Sequence, residues 1–168
     1  MTSVRPFRIR AGRPEDVDAV ARLVAASAES QGAAGAVCVD RDILLADGFG
    51  ANPRFRLLVA EADEALVGVA LFFVIYSTWM SVNTLYLEDL YVDAAWRRRG
   101  VARALMQALA REARETGCRR VQWLVQRSNE AAIRFYTALG ADNASDWALM
   151  QLTGERVLAL ARAADEAP

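Results

Sequence analysis

The stretch LYLEDLYVDAAWRRRGVARALMQALAREARETGCRRVQWLVQRSNEAAIRFYTALGA, residues 85–141, decides how this chain is read. It opens on two β-rich runs, Leu85-Tyr86-Leu87 and Leu90-Tyr91-Val92, interrupted by Glu88 and Asp89. A turn, Arg97-Arg98-Arg99-Gly100-Val101-Ala102, then leads into a helix over 100–116. Its Ala102, Leu105, Met106, Leu109, Ala110 and Ala113 form one apolar stripe, and Gly117 ends it. Residues 119–126 read as the next strand. Ser128-Asn129-Glu130 starts a second helix with Ala132, Ile133, Phe135, Tyr136 and Leu139 on its buried side, stopped by Gly140.

Upstream, residues 7–10 form a strand candidate. Pro14, Glu15 and Asp16 follow, suited to the first turn of a helix. Val17, Val20, Ala21, Val24 and Ala25 fall at helical spacing and carry it to about Ser27. Residues 30–35, SQGAAG, read as a loop. Asp40 caps a helix holding Ile43, Leu44 and Leu45, ended by Gly48 and Gly50. Runs 56–61 and 66–76 are strands joined in a hairpin by Ala62-Asp63-Glu64-Ala65, and a third strand covers 84–92. Downstream, 148–152 is strand-like. Thr153 caps a last helix with Val157, Leu158 and Leu160, and a flexible polar tail is expected over 164–168. The order β-α-α-β-β-β-α-β-α-β-α predicts one α/β domain over 1–168, a mixed central sheet flanked by helices.

Composition narrows the function. The 168-residue chain is 54% hydrophobic and 24% charged, ordinary for a folded domain. A net charge of −1 gives no overall field for nucleic acid or anionic membrane, so neither is expected as a partner. The longest apolar run, 66–76, is too short to span a bilayer, and MTSVRPFRIR lacks a secretory apolar core. Cys38 and Cys118 lack metal-ligand spacing and are expected to stay reduced in a cytoplasm. With no histidine, Ser-His-Asp and Cys-His catalysis and the common histidine zinc sites are excluded, and no metal is expected.

Three groups of residues carry chemistry. At Arg97–Ala102 a glycine allows close backbone approach and a helix start offers unpaired N–H groups, so the turn suits an anion such as a pyrophosphate. Cations there oppose the helix dipole by about 0.3–1 kcal/mol each unless an anion is present. A solvated basic cluster or a nucleic-acid patch is the competing reading. Glu88 and Asp89, adjacent on a strand, are expected to point to opposite faces, both of which look buried. Each either pairs with an arginine or binds or deprotonates a cationic substrate. Tyr136 is a core aromatic or, with an ordinary pKa of about 10, a proton donor to a thiolate of pKa about 8.5. Trp79, Trp123 and Trp147 read first as packing residues.

Taken together these parts resemble the GNAT superfamily of N-acetyltransferases. Arg97, Gly100 and Ala102 match its (Arg/Gln)-x-x-Gly-x-(Gly/Ala) signature between a strand and a helix. DGFG at 47–50, LVAE at 58–61, YSTW at 76–79, LYLEDLYV at 85–92 and NEAAIRFYTALGA at 129–141 are similar to the diamine N-acetyltransferase group, which includes spermidine/spermine and thialysine enzymes. The resemblance implies acetyl-CoA as donor, no metal, a parallel strand pair splayed apart to admit the donor, and a homodimer. It implies that backbone at Leu90, Tyr91 and Val92 binds the pantetheine arm. Arg97 belongs to the same cofactor-binding turn, amides from Arg98, Arg99, Gly100, Val101, Ala102 and Arg103 would hold the pyrophosphate, and Asn129, Ala131 and Ala132 would form a second contact segment. Tyr136 matches the proton donor to the CoA thiolate. Glu88 matches the acceptor carboxylate, with Asp89, Trp79, Trp123, Leu124 and Trp147 also placed on the acceptor side.

The resemblance further implies direct transfer in a ternary complex, with an N–H such as that of Leu90 stabilising the oxyanion. A primary amine of pKa about 10.4 must first lose a proton. The departures bear on the acceptor. Polyamine enzymes of the group have a tyrosine–acid pair where this chain has Ser30-Gln31-Gly32, and an acid where it has Ser77. A long polycation needs several spaced carboxylates, so a short diamine or a lysine-like amine fits better than spermine. A protein or peptide acetyltransferase and a non-catalytic acyl-CoA sensor are the alternatives.

Overall fold

Asp63 and Glu64 both adopt positive φ, 49° and 64°, the two-residue geometry that closes a tight hairpin with the strands' own twist. That hairpin joins β2 (Arg56–Ala62) to β3 (Ala65–Ser77), and β3 turns back into β4 (Val82–Val92). With β1 (Arg8–Ala11) pairing β2, these strands form an antiparallel meander. β5 (Arg120–Gln122) adds to β4 in parallel, giving the order β1-β2-β3-β4-β5. A parallel neighbour needs a crossover, and α3 (Val101–Glu115) supplies it. The mixed sheet is as expected. This computed structural model describes residues 6–33, 35, 38–143, 146 and 148–165, in two compact units, 1–124 and 125–168.

In the first unit the two sheet faces bury different helices. Leu58, Ala60, Phe72, Leu85 and Leu87 pack with Leu105, Ala108 and Leu109 of α3. Leu57, Val59, Val69 and Leu71 pack with Val20 and Leu23 of α1 (Val17–Ser30). The alternation along β2 is the period-two signature of a two-sided core. On α3 the buried stripe runs through Val101, Leu105, Ala108, Leu109 and Ala113. Ala110, expected inside, is exposed, because the stripe is centred on Leu105 and Leu109. On α1, Leu23 is buried and Ala25 is exposed, again a rotation of the expected face.

A 3-10 turn, Pro14–Asp16, precedes α1. Asp16 accepts from Arg13 N at 2.8 Å and from both Arg10 guanidinium ends, at 2.6 and 2.8 Å. Arg10 also reaches Glu61 at 2.6 Å, so one half-buried guanidinium ties β1, β2 and the helix start together. Those bonds hold the Asp16 carboxyl below its ordinary pKa, the Arg10 bond being the main cause. α2 (Arg41–Phe49) begins as expected, Asp40 accepting from Asp42 N and Ile43 N.

The second unit holds α4 (Glu130–Thr137) and α5 (Glu155–Asp165). Residues 148–152, expected as a strand, have no strand structure. All five are exposed, and without a ladder partner an apolar run has nothing to extend against. α5 also takes in Ala164 and Asp165, the start of the expected tail.

Candidate active site

A bulge on β4 shapes the candidate site. Leu71 pairs with Asp89 while the next residue, Phe72, pairs with Leu87, so Glu88 is an extra residue opposite no partner. The bulge resets the alternation. Leu85 and Leu87 face the α3-side core, whereas Tyr86, opposite Phe73, and Asp89, opposite Leu71, face the α1 side. Glu88 sits between Leu87 and Asp89 and is exposed. The expectation that the two acids point to opposite buried faces is therefore corrected. The inserted residue breaks the period-two rule, and only Asp89 is half-buried.

Asp89 and Tyr86 both respond to burial and to the neighbouring Glu88 charge. Burial, and secondly the Glu88 charge, raises the Asp89 pKa, and the same two causes in the same order raise that of Tyr86. The Tyr86 ring stacks on Phe73 with centroids 5.2 Å apart. Among the described residues neither Glu88 nor Asp89 has an arginine partner. Two neighbouring acids without a cation, one of them desolvated, are costly for the fold and mark a place where a cation binds. The Tyr86–Phe73 pair was not singled out from sequence. Its signal was Tyr86 lying two residues before Glu88 on a strand.

The other edge of β4 is open beyond this point. Pairing with β5 covers Thr84, Leu85 and Tyr86 and stops, while β4 continues to Val92. Among the described residues no strand pairs with that edge at Leu90, Tyr91 or Val92, and such an edge keeps free backbone N–H and C=O groups. After β4, the 3-10 turn Ala94–Trp96 leads to the arginine turn. The three arginines behave differently. Arg97 Nε donates to Val92 O at 3.1 Å, and its guanidinium lies 5.5 Å from the Tyr91 ring centre. The Arg99 guanidinium lies 5.1 Å from the Trp96 ring centre. Arg98 takes φ 62° and Gly100 φ 85°, and Gly100 N-caps α3 with no side-chain cap. Helix amides near Val101, Ala102 and Arg103 thus face an uncapped end with no acid in the first turn.

In the second unit Asn129 caps α4, its side chain accepting from Ala132 N at 3.1 Å. Ala131 is exposed beside it. Tyr136 is half-buried, its ring 5.1 Å from Phe135, and burial pushes its pKa up to about 12. Of the tryptophans, Trp79 is 83% exposed at the β3–β4 turn. Trp123 is half-buried and packs against the α3-side core. Leu124 is exposed at the end of the first unit. Trp147 lies outside the described residues. Among the described residues no cluster of three metal-binding side chains occurs, and no helix is long and apolar enough to cross a membrane.

Comparison with known proteins gives a consistent family. The model of the acetyltransferase (GNAT) family matches residues 23–141. The thialysine N-epsilon-acetyltransferase of Mus musculus is 34% identical over 165 residues, 92% of this chain and 96% of that protein. The spermidine/spermine N(1)-acetyltransferase-like protein 1 of Homo sapiens is 32% identical over 170 residues, 95% of this chain but 24% of that longer protein. Among solved structures, an integron cassette protein from the mobile metagenome of V. cholerae superimposes with a TM-score of 0.78 at 19% identity, covering 93% of this chain and 98% of that one.

Proposed function

The chain belongs to the acetyltransferase (GNAT) family and is an acyltransferase; from that premise we propose that it moves an acetyl group from acetyl-CoA to the primary amine of a small diamine or lysine-like amine. The observation that carries this reading is the β4 bulge, beside which Glu88 and Asp89 stand with no cationic partner among the described residues. They immediately precede the open strand edge at Leu90–Val92, and the uncapped start of α3 follows at Gly100. The donor's pyrophosphate suits the amides at Arg98–Arg103, and its amide-bearing arm suits the β4 edge at Leu90, Tyr91 and Val92. Arg97 and Arg99 hold the turn in shape through Val92, Tyr91 and Trp96. When bound, acetyl-CoA supplies a thioester carbonyl as the electrophile.

Glu88 holds the incoming ammonium and takes one of its protons, directly or through water, leaving a neutral amine. The amine's lone pair then forms the C–N bond as the C–S bond breaks. A second N–H proton leaves with amide formation and balances the departing thiolate. Tyr136 serves that thiolate. With its pKa near 12 the phenol stays protonated, and complete transfer to a thiolate of pKa about 8.5 runs uphill by roughly 3.5 units. Its part is therefore a hydrogen bond to sulfur in the transition state, with solvent completing the protonation. Direct transfer needs no enzyme nucleophile, consistent with a chain without histidine.

The test is thiol release from acetyl-CoA with thialysine, lysine, putrescine, spermidine, spermine and a basic peptide. Preference for a short diamine or a lysine-like amine supports the proposal, and Glu88→Gln should then raise the amine KM or stop turnover at neutral pH. Wild-type kinetics in that variant would remove Glu88 from the acceptor site. Preference for the peptide would make the chain a protein acetyltransferase. Tight acetyl-CoA binding with no turnover of any amine would favour a sensor.

A further inference from the structure

Where β4 and β5 part, the last paired residue of β4 is Tyr86, opposite Gln122. Across the other ladder Tyr86 stands opposite Phe73, and the two rings stack with centroids 5.2 Å apart and planes 29° from parallel. Two positions back along β3, Leu71 stands opposite Asp89. Leu71 and Phe73 lie on the α1 side of the sheet and Phe72 between them on the α3 side, so Tyr86 and Asp89 share the α1 side. The bulge absorbs one of the three steps from Tyr86 to Asp89. The two therefore stand about 7 Å apart along the strand, the spacing of same-face neighbours and within reach of an aromatic side chain.

The Tyr86 side chain is not consumed by packing. Phe73 covers one ring face from the β3 side, so the other turns toward β5, where the ladder ends. Among the described residues no arginine lies over that ring, and its hydroxyl has no hydrogen-bond partner. Tyr86 is half-buried, and burial, followed by the Glu88 charge, raises its pKa above the ordinary 10, so the phenol is neutral. An electron-rich ring face thus stands at the fork of the strands, beside a desolvated carboxylate and close enough to Glu88 to feel its charge. Carboxylates attract any cation. A π face beside them favours one kind, an ammonium bound to carbon, whose charge and methylenes both meet the ring.

We infer that Tyr86 is a specificity-determining residue of the acceptor site, its free ring face packing against the alkylammonium that the β4 acids attract. The inference rests on the amine-acetyltransferase reading above and deepens it. Stacking on Phe73 holds the ring in place before the amine arrives, so little side-chain freedom is lost on binding.

The experiment separates ring, hydroxyl and bulk. Tyr86→Phe keeps the π face and loses the hydroxyl, whereas Tyr86→Leu keeps apolar bulk and loses the face. In steady-state kinetics with putrescine and with lysine, Tyr86→Phe should leave the amine KM near wild type. Tyr86→Leu should raise it about three- to thirtyfold, with kcat and the acetyl-CoA KM nearly unchanged. Tetramethylammonium carries the charge but has no N–H and accepts no acetyl group. It should compete with the amine, and its Ki should rise by a similar factor in Tyr86→Leu but not in Tyr86→Phe. Progressively fluorinated phenylalanines at position 86 keep the shape and drain the ring face of negative charge. Their Ki should climb with fluorination, a readout that holds even where Tyr86→Leu fails to fold and that a packing role would not produce. A flat fluorination series, an unchanged amine KM in Tyr86→Leu, or an equal rise in Tyr86→Phe overturns the assignment. If wild type acetylates neither amine, the transfer reading falls instead. Calorimetric tetramethylammonium binding, kept in Tyr86→Phe and lost in Tyr86→Leu, then supports Tyr86 independently, and equal binding by all three overturns it.

Discussion

Asp89 carries a measurable cost because burial and the neighbouring Glu88 both raise its pKa above the ordinary 3.8. A native state that binds the proton more tightly than the unfolded chain gains stability at low pH and loses it as pH rises through the raised value. Asp89→Asn removes that loss. The variant should melt above wild type at pH 7, and the gap should close as the pH falls below about 3.8. Thermal midpoints across that range check it, and a gap independent of pH would contradict the burial account. Tyr136→Phe makes the complementary point for catalysis. Removing one hydrogen bond to a developing charge should lower kcat about 10- to 100-fold and leave the acetyl-CoA KM nearly unchanged. Turnover equal to wild type would place Tyr136 in packing alone. At this scale the sequence made Glu88, Asp89 and Tyr136 visible, because acids inside an apolar strand and a tyrosine at a motif position stand out. Their directions were not visible. The side of the sheet that an acid takes depends on a one-residue bulge, and nothing in LYLEDLYV distinguishes a bulged strand from a regular one.

Between elements, the approach of α3 to the sheet rests on Gly68. A Cβ at that position would lie 3.1 Å from Tyr91 O and 3.3 Å from both Leu105 Cδ1 and Val101 Cγ1. Leu105 and Val101 are buried to 0% and 1% exposure, so neither can move aside without disturbing the core. Gly68→Ala should therefore destabilise by about 1–3 kcal/mol. Because Val101 begins α3, it should also raise the acetyl-CoA KM more than the amine KM. Urea unfolding and steady-state kinetics test the two halves, and unaltered stability would mean that α3 is free to retreat. Helices with a clear apolar stripe and strands ended by turn residues were legible to within a few residues. The β5 strand was expected over 119–126 and pairs only over Arg120–Gln122. The shortfall is physical: residues 123–126 have the composition of a strand, but β4 and β5 part company after Tyr86 and Gln122. Residues 148–152 failed for the related reason that strand propensity without a ladder partner fixes nothing.

For the molecule as a whole, the family resemblance that suggests the donor and acceptor sites also implies two copies. The surface of the second unit is what makes that implication testable. Leu149, Met150, Leu152, Val157, Leu158 and Leu160 are all exposed there, at 69%, 86%, 55%, 47%, 51% and 63%. Scattered apolar side chains on a surface need no explanation, but six within twelve positions are more than a solvated face requires. An amphipathic helix with its apolar residues in water gains about 25 cal/mol for each square ångström it buries against a partner. Light scattering at micromolar concentration should therefore give twice the 18.4 kDa chain mass. Charge placed in the middle of this set should weaken association without unfolding the first unit's sheet. Met150→Glu with Leu158→Glu should raise the dimer dissociation constant at least about tenfold, as expected when apolar contacts are replaced by buried unpaired charges. The far-ultraviolet spectrum should stay that of wild type. A chain mass of one copy in wild type would remove the dimer altogether. A dimer that persists unchanged in the double variant would move the interface to other surfaces, of which the exposed Trp79 and Met80 at the β3–β4 turn are the next to be tested.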